Sequence, residues 1–275
     1  MPWRGSAWKG KTTRTMDRKL ESLKERLRGL ESCAVAFSGG QDSAFLLDVA
    51  REVLESRVAA VTVLAPYTLK RDMRRAHGVI GILGVEHRSV DVPLLDELRY
   101  NPEDRCYLCK DALLDRMIRE KESLHVSHLV DGTHVDDKKE HRPGMRALKE
   151  RGVLSPLREA GFTRDEITTL LHERGRGAWT GPADTCLLTR LPRGCEVTPE
   201  MLTRIEMAEE FLLDAGFTMV RVRSDGMEAR IEVAPGERRR FFHEEMMGRV
   251  AARFKKLGFR HVAVDLEGYR SGSMD

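Results

Sequence analysis

The sequence predicts an α/β protein: a doubly wound parallel sheet joined to a smaller carboxyl-terminal α+β domain. Three observations predict it. Short apolar runs alternate with amphipathic helical patterns from residue 16 to residue 133. A glycine pair, Gly39-Gly40, stands between one such run and the helical pattern after it. Beyond residue 196 the alternation gives way to strand-like runs around one helix.

Residues 16–30 carry Leu20, Leu23, Leu27 and Leu30 on one helical stripe. Residues 33–37, Cys-Ala-Val-Ala-Phe, suit a strand buried on both faces. Ser43 to Leu54 has helical spacing, Val58 to Leu64 is a second strand and Arg71 to Leu83 a second helix. A third strand falls within Val85 to Val92. An irregular segment is expected over Pro93 to Lys110, then a helix to about Lys121. Val126 to Val130 is a fourth strand, ending at Asp131-Gly132-Thr133. In such sheets ligands bind at the carboxyl edge of the strands, where both the glycine pair and Asp131–Thr133 fall.

Thr163 to Glu173 reads as a helix with a threonine cap, and Thr198-Pro199 opens another that runs to Ala215. Met219 to Arg223, Glu228 to Val233 and His261 to Val264 alternate as strands of a small sheet, with a helix over Phe241 to Leu257. The expected organisation is a basic arm without fixed structure at residues 1–15, a main domain over 16–195 and a smaller one over 196–275. The arm lacks the apolar stretch of a secretory signal, and it becomes an upstream extension if Met16 is the true start.

Of the 275 residues, 41% are hydrophobic, enough for a sizeable core. The net charge of +3 is too small to argue for a nucleic-acid partner. Five cysteines, an odd number, argue against a disulfide framework and for a cytoplasmic protein. No apolar run approaches the length of a membrane span.

Ser38-Gly39-Gly40-Gln41-Asp42-Ser43 lies between a strand and a helix. Glycines let the backbone approach a ligand, and successive amides at a helix N-terminus make an anion nest. Ser38 and Ser43 add hydroxyls. No Gly-Lys-Ser/Thr ending follows, so this is not the loop that grips β and γ phosphates. Cys106-Tyr-Leu-Cys109 is compatible with half a zinc site, a redox pair or two ligands of an iron–sulfur cluster. Cys186 lies in a Pro-flanked segment where a reactive sulfur is accessible. Cys33 reads as a packed strand residue and Cys195 as a bystander.

The six-residue loop resembles that of the PP-loop ATP pyrophosphatase superfamily, whose members cleave ATP between the α and β phosphates and adenylate a substrate oxygen. The resemblance implies ATP and Mg2+ as cofactors, with Ser38, Gly39, Gly40, Asp42 and Ser43 on the pyrophosphate, Asp42 a candidate metal ligand, and Gly132 and Thr133 near the nucleotide. A longer series of motifs is similar to the LarE family of pyridinium carboxylate sulfurtransferases. It comprises Asn101-Pro-x-Asp-Arg-Cys-x-x-Cys-Lys110, Asp131-Gly-Thr-x-x-Asp-Asp137, Arg142-Pro-Gly-x-x-Ala-Leu148, Ser155-Pro-Leu157, Cys186-Leu-x-x-Arg190, Val220-Arg-Val-Arg223, Ala229-Arg-Ile-Glu232 and Asp265-Leu-Glu-Gly-Tyr-Arg-Ser-Gly-Ser273.

That resemblance implies adenylation of the carboxylates of pyridinium-3,5-biscarboxylic acid mononucleotide and their conversion to thiocarboxylates for a nickel-pincer cofactor, in the maturation of lactate racemase. Cys106, Cys109 and Cys186 match the family form that holds a [4Fe–4S] cluster loaded by a sulfide donor. The other form sacrifices one cysteine sulfur, here Cys186. The resemblance further implies Glu209 as general base or orienting group. It places Arg190, Arg221, Arg223 and Arg270 on the substrate anions, and the assembly as a ring-like hexamer. His134 departs from the Asn common in its motif, and His141 and Arg142 are weaker nucleotide candidates. The rivals are a tRNA thiolase of the same superfamily, which predicts salt-sensitive RNA binding, and an ammonia-using ligase with zinc at the cysteines.

Overall fold

The computed structural model describes residues 6–139, 144–181 and 185–270, without side chains for 6–13, 138 and 139. Trp3, His141, Arg142 and the motif end Ser271–Ser273 lie outside the described residues. The chain divides into two compact units, one comprising 1–64, 70–92 and 106–183, the other 65–69, 93–105 and 184–275.

In the first unit, helix α1 (Ser6–Gly29) precedes strand β1 (Cys33–Ala36), α2 (Gln41–Leu54), β2 (Val58–Leu64), α3 (Lys70–Leu83) and β3 (Glu86–Asp91). Then come α4 (Arg105–Ser123), β4 (His128–Asp131), α5 (Gly144–Glu150), α6 (Pro156–Glu159) and α7 (Arg164–Glu173). Among the described residues the strands form one parallel sheet in the order β3-β2-β1-β4. The chain winds outward from β1 to β3 and then returns to the other side of β1. The switch point therefore lies between β1 and β4.

Residues alternate across β1. Cys33, Val35 and Phe37 join a core with Leu23 and Leu27 of α1, Phe45 and Leu46 of α2, and Ile167 and Leu171 of α7. Ala34 and Val61 face Leu114 of α4 and Ala147 and Leu148 of α5. Helices on both faces explain why β1 and β2 read as continuous apolar runs. The small residues of β1 (Ala34, Ala36) leave room for that second layer. Beyond β1, a relay of side chains holds the strand end. Thr62 Oγ1 donates to the Phe37 carbonyl at 2.8 Å, so it accepts from His87 Nε2 at 2.9 Å. Burial, then the nearby His77, lowers the pKa of His87.

The second unit contains α8 (Pro199–Asp214), β5 (Val220–Arg223), β6 (Glu228–Val233), α9 (Glu244–Lys256) and β7 (His261–Val264). β5 pairs antiparallel with β6, and β6 parallel with β7, in a small mixed sheet.

The predicted caps are present. Thr163 Oγ1 accepts from Glu166 N while the Glu166 carboxylate accepts from Thr163 N, a reciprocal capping box, and Thr198 accepts from Met201 N at 3.2 Å. Several boundaries differ from the sequence expectation. Helix α1 begins at Ser6, ten residues ahead of the expected start at Met16, through a stretch without proline. Strand β4 is shifted forward so that Asp131 pairs with Ala36. The single helix expected over 241–257 is a 3-10 segment, Pro235–Phe242, and then α9, because His243 is extended at the cap. The largest difference is α4. It starts at Arg105, so Cys106 and Cys109 are helical rather than irregular, and Tyr107, Leu114, Met117 and Ile118 give that helix its core-facing stripe.

Candidate active site

The Ser38–Ser43 loop is built by backbone approach. Gly39 has φ +77°, and a Cβ there would lie 2.5 Å from the Asp72 carbonyl oxygen on α3. Gly40 is the N-cap of α2, and Ser43 Oγ donates back to its carbonyl at 3.0 Å. The Ser38 and Ser43 hydroxyls lie 3.3 Å apart. From β4, Gly132 comes so close that a Cβ would be 2.8 Å from Ser43 N. Gly39 thus lets the loop after β1 approach α3, and Gly132 lets the end of β4 approach the start of α2, whose first amides are the kind that bind anions.

Around this loop the polar groups interlock. Asp131 accepts from Thr133 and, at 2.7 Å, from Ser155, while Lys110 Nζ lies 3.7 Å away. His134, buried, has Nε2 3.7 Å from Asp42 and 3.8 Å from Asp137, and Nδ1 3.8 Å from Asp136. Arg164 Nη1 is 3.8 Å from Asp42. Burial raises the Asp42 pKa, against the opposing pull of Arg164 and His134. Its Oδ1 is buried without a hydrogen-bond partner.

The second unit holds a different kind of constellation. Arg190 is fully buried and forms a bidentate pair with the equally buried Glu209, at 2.8 and 3.0 Å. Its Nη1 donates to the Thr185 carbonyl and hydroxyl, both at 2.7 Å, and to the Cys186 carbonyl at 3.2 Å. Glu209 also accepts from Val222 N at 3.0 Å. Thr189 caps the turn by donating to the Cys186 carbonyl at 2.8 Å. Arg223 binds the buried Glu232 through Nε at 3.0 Å and reaches the Thr189 carbonyl. Arg221, also buried, lies with its guanidinium 5.2 Å from the centre of the Tyr269 ring.

Asn101, with φ 44°, donates from one amide nitrogen to the carbonyls of Leu188, Leu191 and Pro192 at 3.0–3.2 Å. It staples the segment ahead of α4 to the segment after Cys186. Of the predicted site residues, the second unit therefore gathers Cys186, Arg190, Glu209 and Arg223. Arg270 is half exposed and pairs with Glu267. Arg190 and Glu209 are engaged with each other and the Cys186 loop, and neither reaches the surface.

The thiols differ in accessibility. Cys33 is buried, which pushes its pKa up to about 12 and leaves it inert. Cys106 is exposed, Cys109 and Cys186 are part-exposed, and the first two share one turn of α4.

No family model matches the chain. It is 31% identical over 264 residues to the pyridinium-3,5-bisthiocarboxylic acid mononucleotide synthase of Lactiplantibacillus plantarum, covering 95% of both chains. The chain belongs to the LarE family. An uncharacterized Synechocystis protein is 36% identical across 94% of this chain and 98% of its own length. A glutamine-hydrolyzing GMP synthase polypeptide of Thermoplasma acidophilum is 26% identical across 74% of this chain and 69% of its own.

For a LarE-family chain two fits to absent groups can be tested on the residues present. The orphaned Asp42 Oδ1 of the Ser38–Ser43 loop fits an oxygen-seeking cation such as Mg2+. Three accessible thiols on Cys106, Cys109 and Cys186 suit iron–sulfur ligation by their chemistry. Among the described residues no group of three or more His, Cys, Asp or Glu side chains is already arranged around a metal position. No described helix is long and apolar enough to cross a membrane.

Sequence reasoning missed the roles of Asn101 and Glu232. Both sit in the LarE-like motifs, but only burial marks them: Asn101 is fully buried and Glu232 is 1% exposed, each holding an element of the Cys186 side.

Proposed function

We propose that this chain is an ATP-dependent, AMP-forming sulfurtransferase acting on pyridinium-3,5-biscarboxylic acid mononucleotide. The observation that carries it is the near full-length match to the bisthiocarboxylic acid mononucleotide synthase, joined to the glycine-built Ser38–Ser43 loop at the switch point of a parallel sheet. A substrate carboxylate oxygen attacks the α-phosphorus of ATP, and the bond to pyrophosphate breaks. Sulfur then attacks the acyl carbon, the carbon–oxygen bond breaks, and AMP leaves with the original oxygen. Adenylation supplies the leaving group that a bare carboxylate lacks.

In this reading the amides from Gly39 to Ser43 hold pyrophosphate, Asp42 holds Mg2+, and Gly132 and Thr133 line the nucleotide side. Arg221 and Arg223 orient substrate anions, with Arg270 at the outer edge. Arg190 and Glu209 shape the Cys186 loop. Cys106, Cys109 and Cys186 would hold a [4Fe–4S] cluster, which when bound supplies sulfide at an iron that lacks a protein ligand. The product serves a nickel-pincer cofactor, and the assembly is a homo-oligomer.

The test is anaerobic incubation of the protein with ATP, Mg2+, sulfide and the dicarboxylate nucleotide. Pyrophosphate, AMP and thiocarboxylate in step over many turnovers support the proposal. Pyrophosphate without thiocarboxylate removes the sulfur step, and no pyrophosphate removes the enzyme. Accessible Cys186 favours a second reading, in which its own sulfur is consumed. That reading predicts a single turnover and an intact mass reduced by the elements of hydrogen sulfide.

A further inference from the structure

Arg105 is the first residue of α4 and directly precedes Cys106. It is 6% exposed, yet Nε and Nη1 are buried without a hydrogen-bond partner. No ion pair of Arg105 exists among the described residues. The other deeply buried arginines are all engaged: Arg190 is bound by Glu209, Arg223 by Glu232, and Arg221 donates to the Val220 carbonyl at 2.8 Å. Arg51 and Arg176 each bury one unpartnered Nε, but both side chains are only partly covered.

The chain neighbours of Arg105 do not compensate its charge. The first turn of α4 has no acidic side chain, and its amides and dipole add positive potential. Glu103 and Asp104 are exposed, and Glu103 pairs with Arg193 at 2.8 Å. A guanidinium taken out of water without a partner is costly, so chains retain one where an anion arrives from outside. Its planar fork matches carboxylate and phosphate oxygens.

We infer that Arg105 is an oxyanion-binding residue that takes a carboxylate or phosphate group of the nucleotide substrate at the start of α4. The inference rests on the proposed function for the identity of that substrate, and on Arg105 alone for the binding of an oxyanion.

The test compares wild type, Arg105→Met and Arg105→Lys by calorimetry and thermal unfolding. The probes are nicotinic acid mononucleotide (ring carboxylate and phosphate), nicotinamide mononucleotide (phosphate only) and ATP. R105M is expected to bind nicotinic acid mononucleotide about ten-fold or more weakly. ATP affinity is expected to be unchanged, and the unliganded Tm equal to or above wild type. R105K, with charge but no fork, falls between. Loss confined to the acid assigns the carboxylate, and equal loss with the amide assigns the phosphate. Unchanged affinities in R105M overturn the inference, as does a lowered unliganded Tm or failure to fold, since either shows the charge to be partnered within the chain. If wild type binds ATP but neither mononucleotide, the proposed substrate fails. A ten-fold loss of ATP affinity in R105M then keeps the oxyanion role, and an unchanged one removes it.

Discussion

The Ser38–Ser43 loop of the first unit and the Cys186 loop of the second solve the same problem with opposite means. The first positions its groups with backbone: Gly39 and Gly132 remove side chains so that peptide groups approach one another. The second positions its groups with buried charge: Arg190, Glu209, Arg223 and Glu232 hold the turn around Cys186. A glycine-built site loses little solvation and is brittle to any added atom. A charge-built site withstands small steric changes but depends on every partner, because a buried ion left alone is far costlier than the pair.

The largest effect should come from splitting the buried pair. Arg190→Met takes the bidentate ion-pair partner from the fully buried Glu209, and is expected to cost about 3–5 kcal/mol in urea unfolding. Replacing both members with apolar residues should recover much of that stability while sulfur transfer stays low. Wild-type stability in the single variant would break the contrast.

On the glycine side, Gly39→Ala places a Cβ 2.5 Å from the Asp72 carbonyl at φ +77°. The expected strain is about 1–3 kcal/mol, with a marked rise in the KM for ATP in a pyrophosphate-release assay. Gly152→Ala is the control, since its φ of +66° is also positive but nothing lies within 4 Å. It should lower the Tm slightly and leave ATP use alone. Equal ATP defects in both variants would show the close approach to be irrelevant.

Asn101→Leu removes three hydrogen bonds to the segment after Cys186. It is expected to cost about 1–3 kcal/mol and to slow thiocarboxylate formation more than pyrophosphate release. An equal fall in both would place the staple in general stability instead.

The smallest effect concerns pH. The folded pKa of His87 lies below its unfolded value, about 6.5, because burial and His77 disfavour the cation. Its contribution is present above that value and lost as pH falls through the folded one. Chemical denaturation should show stability declining on acidification, by under about 1 kcal/mol from this half-buried group, and His87→Gln should flatten the slope. An unchanged slope would remove His87 from the relay to Phe37.

Legibility in the sequence follows the same division. The parallel sheet is readable from apolar runs and glycine placement, because strand period and loop conformation are local properties. The caps at Thr163 and Thr198 are readable for the same reason. The partner that makes Gly39 obligatory, Asp72 on α3, is not. Arg190 and Glu209 are nineteen positions apart and look like any two surface charges until burial is known. Pro102 and the cysteines suggest a loop and so put the start of α4 too late, whereas the stripe from Tyr107 to Ile118 carries the helix back through both thiols. Arg105 is legible only as a letter of a motif; its missing partner is a property of three dimensions.

The Asn101 staple also constrains how this protein can be altered. One amide nitrogen grips three carbonyls, so the stretch ahead of α4 and the stretch after Cys186 behave as a single replaceable cassette although some ninety residues separate them. A chimera that imports either stretch alone would bring a grip without its handle. Exchange between relatives should succeed only when both travel together.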